Sequence, residues 1–520
     1  MKAPLLLSLA LLAPLGALMS PQAAQAVANA TSASAVAWQE AGTDADIEKA
    51  FAQARAEKKP LLLYWGAKWC PPCNQLKATL FNRQDFIEQS RAFVAVHIDG
   101  DAPGAQKLGS RFKVRGYPTM IMFNTEGAEL TRLPGEIDAP QVVKVMQMGL
   151  AGGRPVKAVL ADARAGKKLG ANEWRLLAFY SWETDEQQLV PPQEVPGLLV
   201  QLAVASKGVD EEVTTRLYLK ALSASDEGKG VKPDAALVQR VSAVLADPAQ
   251  SRALMDVLTN GAPDMVLVLA PEAGAARTKL TAEFDGALKR LENDATLSRA
   301  DRLTALDSRV QLARLDQPKT EMQPKLPAAL VQDVRDTAAR LDREITDGYE
   351  RQACIASASA TLGQAGLWKE SDALLKTNLA KSHSPYYLMN YLGANARKQG
   401  RKDEALHWYE EAFNTSEGPA TRLQWGSSYV AALVTLAPQD SARIEKAASQ
   451  LFKEAASDKS AFYERSARSL LKVGSDLQKW NADGKNAAVV GRLKTQLAGV
   501  CSKVDTADKQ RATCESVIKG

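Results

Sequence analysis

Residues 60–73 read PLLLYWGAKWCPPC: a short apolar run, a tryptophan, and two cysteines separated by two prolines. The apolar run is the right length for a buried strand. The cysteine pair behind it decides the fold and the chemistry, and three readings compete. A structural zinc site needs four ligands, commonly a second cysteine pair or two histidines. The chain has only His97, His383 and His407, and no second closely spaced pair. A staple is a second reading, but a pair this close closes a tiny loop and constrains the unfolded chain little. The third reading is redox exchange. The pair falls where a strand ends and a helix begins, so Cys70 becomes the cap residue. Its sulfur then faces free amides and the positive end of the helix dipole, which favours thiolate, the attacking species in disulfide exchange.

The prolines refine this. Pro71 and Pro72 take the first two helical positions and carry no N–H. The nearest donors to the Cys70 sulfur are then the amides of Cys73 and Asn74. No histidine lies between the cysteines to hold a thiolate as its imidazolium partner. A less stabilised thiolate makes a less oxidising disulfide, which favours reduction or exchange over strong oxidation.

A second stretch, VRGYPTMIMF at 114–123, places Pro118 just before a strand. A cis Tyr117–Pro118 bond would turn the backbone of Tyr117 toward the sulfurs, where it would grip an extended substrate chain. The alternative is an ordinary trans proline opening a strand. Around these motifs, strand and helix alternate. Helical spacing occupies DADIEKAFAQARAEK, with Asp44 as cap, the stretch from Pro71 to about Phe81, QDFIEQS, GAQKLGSRFKV and DAPQVVKVMQMGLA. AFVAVHID and TMIMFN read as buried strands and AELTRLPG as an edge strand. This is an α/β layer of about a hundred residues.

Together, YWGAKWCPPC after a strand and VRGYPT before one resemble the thioredoxin superfamily. KATLFNRQDFIEQSRAFVAVHID (77–99) is similar to one branch, the C-terminal periplasmic domain of the membrane thiol reductase DsbD and its soluble relatives. The resemblance covers about residues 40–150. It implies that Cys70 is the nucleophile, Cys73 the resolving thiol and Pro118 the cis proline beside them. Trp69 matches the family's tryptophan before the first cysteine, and Trp69, Tyr117 and Pro118 form the implied substrate-binding surface. No metal or organic cofactor is implied, only the cysteine pair. Two positions depart. Tyr64 stands where the family carries a buried acid, and Ala95 matches its lysine partner. Lys68, Asp99 and Asp101 are the nearby substitutes.

The chain start sets the compartment. Lys2, the apolar stretch PLLLSLALLAPLGALM and the small residues Ala24-Gln25-Ala26 have the layout of a secretory signal peptide over residues 1–26. The expected product is soluble and periplasmic, with no transmembrane helix in the mature chain. An Ala/Ser/Thr-rich leader (27–37) precedes the α/β domain (38–152). A net charge of +5 with no Lys/Arg block sets nucleic-acid binding aside.

From about residue 153 strand-like runs nearly vanish. An all-helical domain is expected over 153–350, helical repeats over 351–480 and further helices over 481–520. Gly366 and Gly400 are 34 residues apart, and YLGANARKQGRKDEALHWYEEAF (391–413) resembles a tetratricopeptide repeat. In that resemblance Leu392-Gly393 opens a first helix, and Ala405, Tyr409, Ala412 and Phe413 pack a second. Ser371 stands where the preceding unit would carry a small packing alanine, and a longer, degenerate unit lies near 420–456. Cys501 and Cys514 form an expected structural disulfide, with a second exchange pair as the alternative. Cys354 reads as a buried free thiol and His97 as a structural histidine. Two functions are consistent with this layout. One is an exported thiol–disulfide oxidoreductase whose repeats hold disulfide-containing protein clients and which a membrane thiol reductase recharges. The other is an interaction scaffold with a non-catalytic thioredoxin-like adaptor.

Overall fold

A computed structural model describes residues 35–519 except 136 and 187. The expected signal peptide and most of the leader lie outside the described residues. The N-terminal domain is a five-stranded mixed sheet in the order β1-β3-β2-β4-β5. In chain order its elements are β1 (Gln39–Glu40), α1 (Asp44–Glu57), β2 (Leu61–Gly66), α2 (Pro71–Thr79), α3 (Gln84–Gln89), β3 (Val94–Asp99), α4 (Ala105–Arg111), β4 (Thr119–Phe123), β5 (Glu129–Pro134) and α5 (Ala139–Leu150). β3 lies parallel to β1 and β2, and β4 runs antiparallel to β2 and β5.

β2 is central, and all six of its residues are buried. That is why it reads as a continuous apolar run rather than an alternation. Its side chains still divide by parity. Leu61, Leu63 and Trp65 face α1 and α4 with Ile47, Phe51 and Leu108. Leu62 and Tyr64 face α2 and α5, in one core with Cys70, Cys73, Met120 and Met146. The cysteine pair therefore caps the second core.

One local expectation is corrected and another gains a detail. The cap of α1 is Thr43, not Asp44. Thr43 Oγ1 accepts the Asp46 N–H, and the Asp46 carboxylate accepts the Thr43 N–H in return. β5 is the edge strand that the sequence predicts, at one end of the sheet, and it is covered. Its residues from Leu130 to Pro134 are buried because the helices Val156–Arg164 and Ala171–Phe179 lie against it. A short run beyond those helices also joins the domain: Val114 and Asp185 form an antiparallel bridge. Arg132 on β5 welds this junction. Its fully buried guanidinium donates to the carbonyls of Phe112 (2.8 Å), Lys113 (2.6 Å) and Thr184 (3.3 Å).

From Val156 to Ser516 the chain is a succession of helices. Residues 348–457 form three helical hairpins: Gly348–Gln364 with Trp368–Asn378, Pro385–Lys398 with Lys402–Thr415, and Pro419–Leu436 with Ser441–Ser457. Gly366 and Gly400 turn the first two at φ +79° and +73°, backbone that favours glycine. Leu392 and Gly393 do not open their helix but sit in its second half, where Gly393 lets the Tyr409 ring approach. Buried Ser371, in place of an alanine, donates to the Ser359 carbonyl and accepts from Asn395, 2.8 Å each. Glu464–Trp480 and Ala487–Cys501 continue the array, and the short helix Gln510–Ser516 is tied to it by a Cys501–Cys514 disulfide. Among the described residues no helix is long and apolar enough to cross a membrane.

Candidate active site

The site grows from the start of α2. Cys70 is its N-cap, and the Cys70 Sγ accepts the backbone N–H of Cys73 at 3.2 Å. The two cysteines are disulfide-bonded. Asn74 does not offer its amide N–H to the sulfur, as the sequence led us to expect; that group serves the Cys70 carbonyl at 3.0 Å. The side chain of Asn74 instead braces the loop, donating to the carbonyls of Lys68 and Cys70 at 2.8 Å each. With both prolines lacking N–H groups, one amide faces the sulfur.

The second loop closes over the first. The Tyr117–Pro118 peptide is cis. Pro118 lies against Gly135, where a Cβ would collide with its ring. Tyr117 stacks on Trp65 at 5.7 Å and sets its edge against Trp69 at 6.1 Å. Its hydroxyl accepts from Gln106 at 3.1 Å, and burial pushes its pKa up to about 12. The five sequence-nominated residues Trp69, Cys70, Cys73, Tyr117 and Pro118 thus meet at one end of the sheet.

Beneath them, Tyr64 fills the place of an acid. It is buried between His97 and Phe81, with ring centroids 4.9 Å away in each case, and burial pushes its hydroxyl well above the usual range. His97 stacks there and bonds Glu40 at 2.8 Å, a structural placement. Of the three substitutes named from sequence, Lys68 pairs with Glu417 at 3.0 Å, and Asp101 is bound by Trp69 and Arg465. Asp99 remains within the domain; burial raises its pKa, and the Asp101 N–H that it accepts at 3.0 Å opposes the rise.

What the sequence did not reveal is a wall. Four helices, Gly348–Gln364, Pro385–Lys398, Pro419–Leu436 and Glu464–Trp480, each send a side chain onto the cysteine loop. Gln352 donates to the Trp69 carbonyl at 3.0 Å. Tyr387 stacks on the Trp69 ring at 5.4 Å, and Trp425 meets it edge-on at 5.7 Å. The Trp69 Nε1–H is shared between Thr421 (2.8 Å) and Asp101 (2.9 Å). Arg465 pairs with Asp101 and lies over both Trp69 and Tyr117, 5.1 and 5.0 Å from their centroids. His383, just ahead of Pro385, contacts Asn74 Oδ1 through Nε2 at 3.2 Å. On the other flank Gln75 donates to buried Asp301 at 2.6 Å, beside a cavity of about 120 Å³ bordered by Pro71 and Pro72.

The consequence is burial. Trp69, Cys70 and Cys73 are 8%, 2% and 0% exposed. The closure is imperfect: the Trp425 Nε1–H and Arg465 Nε–H have no acceptor among the described residues. An unpaired buried donor costs about 1–3 kcal/mol. Elsewhere, Cys501 and Cys514 sit in a core with Leu493, Leu497 and Val517. Cys354 is unbonded and buried, and burial pushes its thiol pKa up.

Comparison with known proteins agrees with this geometry. Residues 47–149 match the family model of a thioredoxin-like domain. The thiol:disulfide interchange protein DsbD of Pseudomonas fluorescens is 31% identical over 99 residues, 18% of this chain and 17% of that protein. DsbD 1 of Pseudomonas aeruginosa is 31% identical over 106 residues, 20% and 18% of the two chains. DsbD of Yersinia pestis is 31% identical over 98 residues, 18% and 16%. The chain thus spans about a sixth of the length of these curated relatives. The N-terminal domain is thioredoxin-like, and the likeness to the DsbD proteins covers about a fifth of the chain.

Proposed function

We propose that this protein is a thiol–disulfide oxidoreductase, exported to the periplasm by residues 1–26, that reduces or exchanges disulfides in protein clients. The observation that carries this reading is the Cys70 sulfur at the N-cap of α2, bonded to Cys73 and flanked by Trp69 and the cis Tyr117–Pro118 loop. In the dithiol form, the Cys70 thiolate attacks one sulfur of a client disulfide. A Cys70–client bond forms, the client S–S bond breaks, and one client thiolate leaves. The Cys73 thiolate then attacks Cys70 Sγ, expels the second client thiolate and closes the Cys70–Cys73 disulfide. Two electrons pass to the client. A dithiol carrier, in our reading a membrane thiol reductase, returns them. The cysteine pair needs no metal or organic cofactor. Only one amide supports the Cys70 sulfur, which favours a reducing or exchanging couple. The hairpins of 348–457 act as tetratricopeptide-like repeats that hold clients or partners. Insulin-disulfide turnover and the reduction potential, each measured against Cys70→Ser, test the proposal; equal turnover in the variant overturns it.

One observation favours a second reading, the scaffold: the pair is almost wholly covered. If the thioredoxin-like domain is only an adaptor, a Cys70→Ser/Cys73→Ser chain retains its full set of co-purifying partners, and the wild type shows no turnover.

A further inference from the structure

We propose that the helical wall supplies the second half of the client site: Arg465 shuts it, and the Trp425 indole N–H reads the chain that enters. The partner this surface fits is an extended, cysteine-bearing peptide segment. The inference rests on the redox reading above.

Three observations carry it. First, the Arg465 guanidinium spans the two loops that border the disulfide, lying over Trp69 on one and Tyr117 on the other, and is fixed by Asp101. Any chain drawn past Cys70 between those loops must displace it. Second, the donors left unpaired at the seam, Trp425 Nε1–H and Arg465 Nε–H, both belong to wall residues that touch the Trp69 ring. Trp425 is 4% exposed, so its indole N–H is shielded from bulk solvent. Backbone carbonyls are the acceptors that such donors lack, and an extended segment presents one roughly every 3.3 Å. Third, Tyr387 and Trp425 set two more rings around Trp69. They form an apolar platform for side chains flanking a client cysteine. A folded client with a recessed disulfide does not fit between these surfaces.

The test uses the full-length, reduced protein. Modification of Cys70 is followed by peptide mass with iodoacetamide and, in parallel, with a large polyethylene-glycol maleimide. Arg465→Ala removes a cation from two rings and is expected to speed the large reagent by about tenfold, with less than about a twofold change for the small one. Arg465→Lys keeps the charge but loses the planar group, and is expected to fall between; it decides the matter if the alanine variant does not fold. Insulin is then trapped as a mixed disulfide on full-length Cys73→Ser. Adding Trp425→Phe, which keeps an aromatic ring and deletes the N–H, is expected to lower capture about fivefold. Large-reagent rates that are equal in the wild type and both Arg465 variants overturn the gate, and undiminished capture by Trp425→Phe overturns the reader. If Cys73→Ser traps no insulin in any background, the exchange reading and the Trp425 role fall together, while the alkylation rates still decide the role of Arg465.

Discussion

The molecule holds two disulfides that burial alone does not tell apart. Cys70 and Cys73 are 2% and 0% exposed; Cys501 and Cys514 are 3% and 0%. Their surroundings differ in kind. The first pair is three residues apart, sits at a helix start behind two prolines, and is ringed by aromatic and polar groups from residues some 280 to 395 positions later. The second is thirteen residues apart and ties consecutive helices inside a hydrophobic core. The lesson is that a disulfide's role is written in what its thiolate would meet. One pair offers a sulfur facing a backbone amide and a seam between two domains. The other lies in an apolar core whose members include Leu493, Leu497 and Val517.

The sharpest way to break this contrast is to remove each pair in turn. Cys70→Ser is expected to bring insulin turnover to the uncatalysed rate, whereas Cys514→Ser leaves it within about twofold of wild type. Loss of turnover in a folded Cys514→Ser protein would make both pairs redox centres. The order reverses for stability. Opening the thirteen-residue loop is expected to cost about 3 kcal/mol, read from the denaturant midpoint of Cys514→Ser, and the small loop at Cys70 costs much less. Thr421→Val sharpens the contrast at the seam. It deletes one of two acceptors of the Trp69 indole N–H and is expected to cost about 1 kcal/mol or less, because Asp101 remains.

The smallest effect is in pH. Burial holds the His383 pKa below its ordinary 6.5, and the cations Lys68 and Lys77 depress it further. In the open or unfolded chain this imidazole takes a proton near pH 6.5 that the closed seam resists. Its contribution to closure is therefore fully present above that pH and declines as pH falls through it. Unfolding midpoints measured across this range should show the decline in wild type and a flatter profile in His383→Gln. An identical profile in the variant removes His383 from the seam.

The N-terminal fold was legible because its signals are local. A continuous apolar run made β2, and cap residue, prolines and strand end made the start of α2, each within a few residues. Thr43 was passed over for Asp44 because both residue types cap helices and only the return bond from Asp46 decides. β5 read as an edge strand and is one; its cover, helices more than twenty residues further on, was not legible. The helical character of the remainder came from periodicity. The wall did not. Gln352, His383, Thr421 and Arg465 are polar residues on helices, and in a sequence such residues look like solvated faces. Tyr387 and Trp425 fell at core-like spacing. His383 meets Asn74, and the others share one target, Trp69, 283 to 396 positions earlier, so nothing local connects them.

Arg132 carries a mechanical consequence. By holding the carbonyls of Phe112, Lys113 and Thr184 on one guanidinium, it sews the root of the helical arm to the sheet on the β5 side. The stitching continues along the arm, through Arg252 on Asp138 at 3.0 Å, Gln75 on Asp301 at 2.6 Å and Arg465 on Asp101, so the cover over the cysteines is held at its root, its middle and its far end.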